Sequence, residues 1–382
     1  MRIVRLFVVA LCIMAVSVIP ALAAETIKVG AILAVTGGAS FLGAPEAKTL
    51  EMLVGDINAK GGINGKKVQL IIKDSAGDAE KAISFAKQLI DEEKVLAIIG
   101  PSTSGETMKI KDIAEQNKTI LLSCAAAEGI VNPVAKYVFK TPQKDSDAVI
   151  KIFLQMKKMG ISQIGVLSSN TGFGGAGKAQ LEKLAPEHGI QIVISEVYDK
   201  AATDLTAEVT KVKAANVQAI VNWSIEPAQS IVIKNARQSG LTVPIFQSHG
   251  FGNIKYVTAA GAAAEGVIFP AGRLLVADAL PDKNPQKSLL ISYKKAYEAK
   301  YKEEVSTFGG HAYDAMLILE RSIKAAGKNA DKEKIRTTIE NMKGLVGTAG
   351  IFNFTPADHN GLDLNAFEML TVKDGKFAVL EK

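Results

Sequence analysis

Cysteine is nearly absent from this 382-residue chain, which has only Cys12 and Cys124. Two such residues, one of them inside an apolar N-terminal stretch, exclude a disulfide framework, and no paired-cysteine spacing suggests zinc. Tryptophan occurs once, at Trp223, and aromatic residues make up 6% of the chain. With the lysines scattered rather than clustered, that scarcity excludes a nucleic-acid surface built from stacking rings and basic stripes. The four histidines, His188, His249, His311 and His359, lie far apart without metal-ligand spacing. No Gly-x-Ser-x-Gly elbow is present, so a serine hydrolase lacks its usual signature. No nucleophile or base is accompanied by a group to orient it, so binding without catalysis, cofactor or metal is expected. Beyond the first two dozen residues no apolar run is long enough to span a bilayer.

What is present begins at the N-terminus. Arg2 and Arg5, the apolar run Leu6 to Ile19 and the small-x-small pattern Ala21-Leu22-Ala23 read as a secretory signal, with Ala24 or Glu25 starting the mature protein. An uncleaved anchor is the alternative, for which the run is short and its Ala-rich end unexpected. Removing the signal leaves about 358 residues, more than one ordinary core holds, and two lobes are expected. Formal charge is +6, two units of it from Arg2 and Arg5, and such mild basicity selects no partner. Cys124, left alone, is expected to be a small buried hydrophobe.

Short β-branched runs alternate with helical stripes. Strands are predicted at Ile27 to Ala34, Val68 to Lys73, Val95 to Ile99 and Ile120 to Leu122, with helices between them, and after Tyr137 to Pro142 the alternation restarts. Strands at Ile164 to Leu167, Ile190 to Glu196, Ala219 to Asn222 and Pro244 to Gln247 then make a second series. Three further helices near 284–301, 310–326 and 331–342 are expected to cover the first sheet, and strands near Phe367 to Val372 and Phe377 to Leu380 to complete the second. The fold class is therefore α/β, two doubly wound parallel-sheet lobes joined by a three-segment hinge. Lobe 1 is expected to take residues 25–142 and 273–346, and lobe 2 residues 143–272 and 347–382. Such lobes close about a ligand held by loops at the carboxyl ends of their strands.

Two loops carry the binding chemistry. In Gly100-Pro-Ser-Thr-Ser-Gly105 the unpaired N–H groups of a helix start and the hydroxyls of Ser102, Thr103 and Ser104 suit a carboxylate, although ordinary helix capping needs the same residues. In Ser123-Cys-Ala-Ala-Ala127, Ser123 and the backbone of Ala125, Ala126 and Ala127 can approach a ligand closely, the alternative being a plain strand-to-helix turn. Gly172-Phe-Gly-Gly-Ala-Gly177 matches a dinucleotide fingerprint, with Glu196 near the position of a ribose-binding acid. Ser168 to Thr171 separate these glycines from their strand, however, so a flexible cleft loop presenting Phe173 is preferred to a nicotinamide enzyme. His249, in Ser248-His-Gly-Phe-Gly-Asn253, has a cleft position or a plain surface one, and Trp223 is core or cleft wall.

Ile27-Lys-Val-Gly-Ala-Ile-Leu-Ala-Val-Thr-Gly37, Asp56-Ile-Asn-Ala-Lys-Gly-Gly-Ile-Asn-Gly65, Ile99-Gly-Pro-Ser-Thr-Ser104, Phe139-Lys-Thr141 and Gly309-Gly-His-Ala-Tyr-Asp-Ala315 together resemble the type I periplasmic solute-binding proteins. The resemblance is to the leucine/isoleucine/valine-binding branch of ABC importers and covers the whole mature chain. It implies a periplasmic monomer that captures a small organic acid or amino acid and delivers it to a membrane permease with its ATPase. It also implies that Ser104 binds the ligand carboxylate beside the 125–127 backbone, that Phe173 packs on the ligand, and that Phe41 and Leu42 lie in the first cleft loop. Two positions depart from the amino-acid pattern, since Ala127 replaces a threonine and His249 the acid that pairs with the ammonium. A buried ammonium without an anion is costly. The expected ligand is therefore an acid lacking the amine, foremost an aromatic acid stacked between Phe41, Phe173 and Trp223, with Glu226 or Glu128 as the alternative anion for an amino acid.

Overall fold

Buried apolar runs form the strands, and the amphipathic stretches between them the helices. The computed structural model describes residues 26–329 and 331–381, so the expected signal and Cys12 lie outside the described residues. The first series is β1 (Ile27–Leu33), α1 (Ser40–Ala59), β2 (Val68–Asp74), α2 (Ala79–Lys87), β3 (Ala97–Ile99), α3 (Ser104–Gln116), β4 (Ile120–Ser123) and β5 (Val138–Lys140). Its strands make one five-stranded parallel sheet in the order β2-β1-β3-β4-β5. All of β3 is buried, as a central strand covered on both faces must be. Side-chain caps set the helix starts: Asp78 accepts from the N–H groups of Glu80 and Lys81, and Thr103 from that of Glu106.

The second series runs α4 (Asp145–Lys158), β6 (Gln163–Ser169), α5 (Gly172–Leu184), β7 (Gln191–Tyr198), α6 (Thr206–Ala214), β8 (Ala219–Trp223), α7 (Ala228–Gln238), β9 (Ile245–Gln247), α8 (Ile254–Ala260) and β10 (Ile268–Ala271). Helices α9 (Lys287–Tyr301), α10 (Thr307–Ala326) and α11 (Lys332–Glu340), the hairpin β11 (Leu345–Val346) and β12 (Ile351–Phe352), and strands β13 (Glu368–Lys373) and β14 (Lys376–Val379) follow. The second sheet has seven strands in the order β14-β13-β10-β9-β8-β6-β7, of which β13 and β14 are the antiparallel additions.

Helices α10 and α11 cover the first sheet, where Ala312, Ala315, Ile318, Ile335 and Ile339 share a core with Val29, Ala97 and Leu122. One boundary is corrected. Residues 347–366, expected in lobe 2, pack on lobe 1, because the β11–β12 hairpin delivers Phe352 and Phe354, stacked at 5.4 Å, into the core around Phe139. The chain joins the second core only at Phe367, beside Leu370 and Val372. Crossings thus follow β5, follow β10 and precede β13. They are fastened to one another: Asn360 Nδ2 donates to the carbonyls of Lys140 and Pro142, and Gln143 Nε2 to that of Ala349.

Candidate ligand site

The carboxyl ends of both sheets face each other across a cleft, and at its centre lies a small cavity of about 20 Å³. That is room for about one water molecule, so admitting a ligand requires the lobes to part or the lining rings to swing. Leu42, Ser102, Ser104, Cys124, Ala125 and Ala126 form one wall, and Phe173, Ile225, His249 and Gly250 the opposite one. Pro142, Phe308 and His311 close the hinge end, and no lining side chain is a carboxylate, lysine or arginine.

Of the hydroxyls expected to bind, the fold already uses most. Ser102 lines the cavity, yet its oxygen accepts from Ala34 N–H and its proton goes to the buried Glu46 carboxyl. Thr103 caps α3 and donates to Glu106 Oε2 at 2.6 Å. Ser123 bonds Thr107 at 2.9 Å and accepts from Ala125 N–H, and it does not reach the cavity. The expectations for Thr103 and Ser123 are corrected to structural roles, because each hydroxyl meets a nearer protein partner, while Ser102 stays in the lining with its hydroxyl already paired. Ser104 differs. Its oxygen accepts from Ala127 N–H at 3.1 Å, and among the described residues its proton has no acceptor, so it can donate into the cavity. Ala127 thereby serves as a brace for Ser104 and does not line the cavity. At the start of α3 the N–H groups of Ser104 and Gly105 have no intrahelical acceptor, which adds a field favouring an anion.

The opposite wall is aromatic. Gly172 to Gly177 is no flexible loop: Thr171 caps Gly174 N–H and the segment opens α5, with Phe173 buried against the cavity. Trp223 is buried behind Phe173, with ring centroids 5.8 Å apart, so it backs the wall instead of touching ligand. It sits where Gly177 has no side chain, since a Cβ there would lie 2.0 Å from the indole nitrogen. Glu196, the supposed ribose acid, pairs with Lys211 at 2.8 Å. Phe41 also leaves the site. Pro45 has no N–H to give the Phe41 carbonyl, and Asn253 Nδ2 of the other lobe donates to it at 2.8 Å while the Phe41 ring meets Tyr256 edge-on at 5.2 Å. Phe41 is thus an interlobe contact. Nearby, Gly105 and Gly172 meet so closely that a Cβ on Gly172 would lie 2.8 Å from Gly105 Cα.

Sequence reasoning missed the charged and polar groups at the hinge end. Lys140, fully buried beneath the 123–127 loop, donates to the carbonyls of Ala126, Pro142 and Gln143. Burial lowers its pKa and the nearby Asp145 carboxylate opposes that shift, while burial raises Asp145 against the Lys140 charge. Asp145 Oδ1 lies 3.5 Å from His249 Nε2, long for a hydrogen bond. His249 itself is buried, and desolvation, with Lys140 and His311 close by, holds its pKa well below the ordinary value. His311 is pulled down to about 3 by the same burial and by Lys140, so both rings are neutral near pH 7. Phe139-Lys-Thr141 and the 309–315 motif already contained Lys140 and His311, but only helix phase and hinge geometry turn them inward.

A second, larger space of about 940 Å³ lies further out between the lobes, sharing Phe173 and Ile225 with the inner cavity. Charged side chains rim it, Asp78, Glu106 and Glu226 among Lys109, Lys200 and Lys234. Glu226 already accepts from the Ser224 hydroxyl at 2.8 Å and faces this outer space. Among the described residues no cluster of three His, Cys, Asp or Glu could hold a metal, and no helix is long and apolar enough to cross a membrane.

A family model described as "Periplasmic binding protein" matches residues 26–376. The leucine-, isoleucine-, valine-, threonine-, and alanine-binding protein of Pseudomonas aeruginosa is 27% identical over 317 residues, 82% of each chain. An extracellular ligand-binding receptor from Rhodopseudomonas palustris HaA2 superposes with a TM-score of 0.88 at 29% identity, covering 93% of this chain and all of that one. The branched-chain amino acid transporter substrate binding protein of Streptococcus pneumoniae, solved with isoleucine, gives a TM-score of 0.80 at 27% identity, covering 92% of this chain and 98% of its own.

Proposed function

This chain belongs to the periplasmic binding protein family, in its branched-chain amino acid branch, and from that premise we propose that it captures a small organic acid for an ABC importer. Exported by its N-terminal signal, it works as a monomer, closes on the acid between its lobes and hands it to a permease driven by an ATPase. It binds and does not convert. One observation carries the choice of ligand: the inner cavity joins a carboxylate-holding wall, centred on Ser104 and the start of α3, to rings and aliphatic groups with no charged side chain among them. An acid with an aromatic body beside Phe173 and Phe308 matches both walls. The 20 Å³ left between them favours entry by lobe opening, followed by closure that excludes water and strengthens every polar contact.

A second reading, an amino-acid ligand, is favoured by Asp145, whose carboxyl lies behind His249 within 3.5 Å and whose oxygens have no hydrogen-bond partner among the described residues. The relatives from Pseudomonas aeruginosa and Streptococcus pneumoniae carry amino acids in their names. Against it, Asp145 already balances the buried Lys140 ammonium. Equilibrium calorimetry with benzoate and with leucine separates the two. Benzoate binding with negligible leucine binding is expected, and tight leucine binding without benzoate binding transfers the function to the amino-acid reading.

A further inference from the structure

We infer that His249 and His311 jointly read an uncharged oxygen on the ligand, so that the captured acid carries a hydroxyl or carbonyl group in addition to its carboxylate. This rests on the organic-acid reading above. The two rings reach the cavity from separate elements, His249 from the turn after β9 and His311 from the second turn of α10. They are only 6% and 5% exposed, yet both nitrogens of His249 and Nδ1 of His311 lack a hydrogen-bond partner among the described residues. Native interiors rarely leave such groups unpaired, and an apolar residue of similar size would fill either place at less cost.

Their setting fixes them against the cavity. Phe173, Trp223 and Phe367 hold the His249 ring by edge contacts at 5.4, 5.7 and 5.6 Å, which restricts its rotation without using its nitrogens. Phe308 lies 6.5 Å from the His311 ring and shares its cavity wall. A neutral imidazole offers one N–H donor and one bare nitrogen acceptor, the complement of a hydroxyl, and its N–H alone suits a carbonyl. It has no charge with which to balance an ammonium. A site that hydrogen-bonds a substrate oxygen also rejects the analogue lacking it, because its own buried polar groups are then left unpaired. Bridging both histidines through one ligand oxygen would also tie the two cleft walls together when the lobes close.

The test is calorimetry with two matched pairs, 4-hydroxybenzoate against benzoate and phenylpyruvate against 3-phenylpropanoate, with leucine as a further ligand. In at least one pair the oxygen-bearing acid is expected to bind about tenfold or more tightly than its partner. His311→Phe and His249→Phe should reduce that preference to within about threefold, read as the ratio within each pair for each variant, and His311→Gln should restore part of it. The wild-type ratio stands without any variant, so misfolding of a variant leaves the test intact. Binding of the acids with no preference in either pair overturns the inference alone, as does a preference that survives both phenylalanine variants. Leucine binding with no acid binding overturns the organic-acid reading itself.

Discussion

The two spaces between the lobes differ in nearly every property. The outer one, about 940 Å³, is rimmed by charged groups of both signs, whereas the inner one, about 20 Å³, has an uncharged lining and buried nitrogens without partners. Volume alone would choose the outer space. The organic-acid reading takes the inner one, whose lining has no charged side chain and whose buried nitrogens lack partners among the described residues.

The sharpest way to break this comparison is to prevent closure without touching the inner lining. Gly172→Val places a side chain against the Gly105 backbone, where even a Cβ comes within 2.8 Å. Such overpacking costs about 1–3 kcal/mol, so ligand affinity should fall roughly ten- to hundredfold. The thermal midpoint of the unliganded protein should hardly move. Unchanged affinity in calorimetry would mean that the ligand does not need the closed inner cavity.

Next in size is Ser104→Ala, which removes the hydroxyl that can donate into the inner cavity and the acceptor for Ala127 N–H. A loss of about tenfold in affinity is expected from one buried hydrogen bond. Ser102→Ala is the contrast: it strips partners from Ala34 N–H and Glu46 and should lower unfolding free energy by about 1–3 kcal/mol with a smaller effect on binding. If the two serines gave the same pattern, the division between a donor for the ligand and a structural hydroxyl would be wrong.

Glu46, beneath Ser102, sharpens the same point through pH. Burial raises its pKa from 4.5 to about 8, so the folded state holds a proton that the unfolded state has released between those values. Its contribution to stability is complete below about pH 4.5 and fades as pH rises through 8. Glu46→Gln keeps the site uncharged, so denaturant unfolding should show the variant gaining about 4 kcal/mol on the wild type between pH 5 and pH 9. Parallel pH profiles would contradict a buried, protonated Glu46. The smallest effect is expected in the outer space, where Lys109→Ala and Lys200→Ala should each change affinity by less than about twofold.

Much of this arrangement was legible from residues alone, and the exceptions share a cause. Both sheets and their helices follow from periodicity and caps, and Ser104 and Phe173, singled out by the family resemblance, line the inner cavity. The roles of Ser102 and Ser123 do not, because a hydroxyl's use depends on which third group arrives, here Glu46 from α1 and Thr107 from α3. Phe41 was assigned to the ligand by its place in the first cleft loop. Pro45 instead freed its carbonyl for Asn253, and the ring followed. Trp223, which the sequence leaves as core or cleft wall, stands in the core behind Phe173, since the gap that holds it is made by Gly177 on another helix. The late lobe boundary was missed because a two-residue strand such as β11 leaves no periodic trace. His311 and Lys140 stood inside motifs already noted, yet their inward direction is a property of the hinge.

The central claim is that the inner cavity accepts a carboxylate and has no place for an ammonium beside it. Phenylalanine and 3-phenylpropanoate share a skeleton and differ in that one group, so their dissociation constants, measured by calorimetry on ligand-free protein, test it directly. The acid is expected to bind at least about a hundredfold more tightly, the scale set by burying an unpaired charge. Phenylalanine binding as tightly as the acid, or more tightly, would contradict the account and give Asp145 the role of ammonium partner.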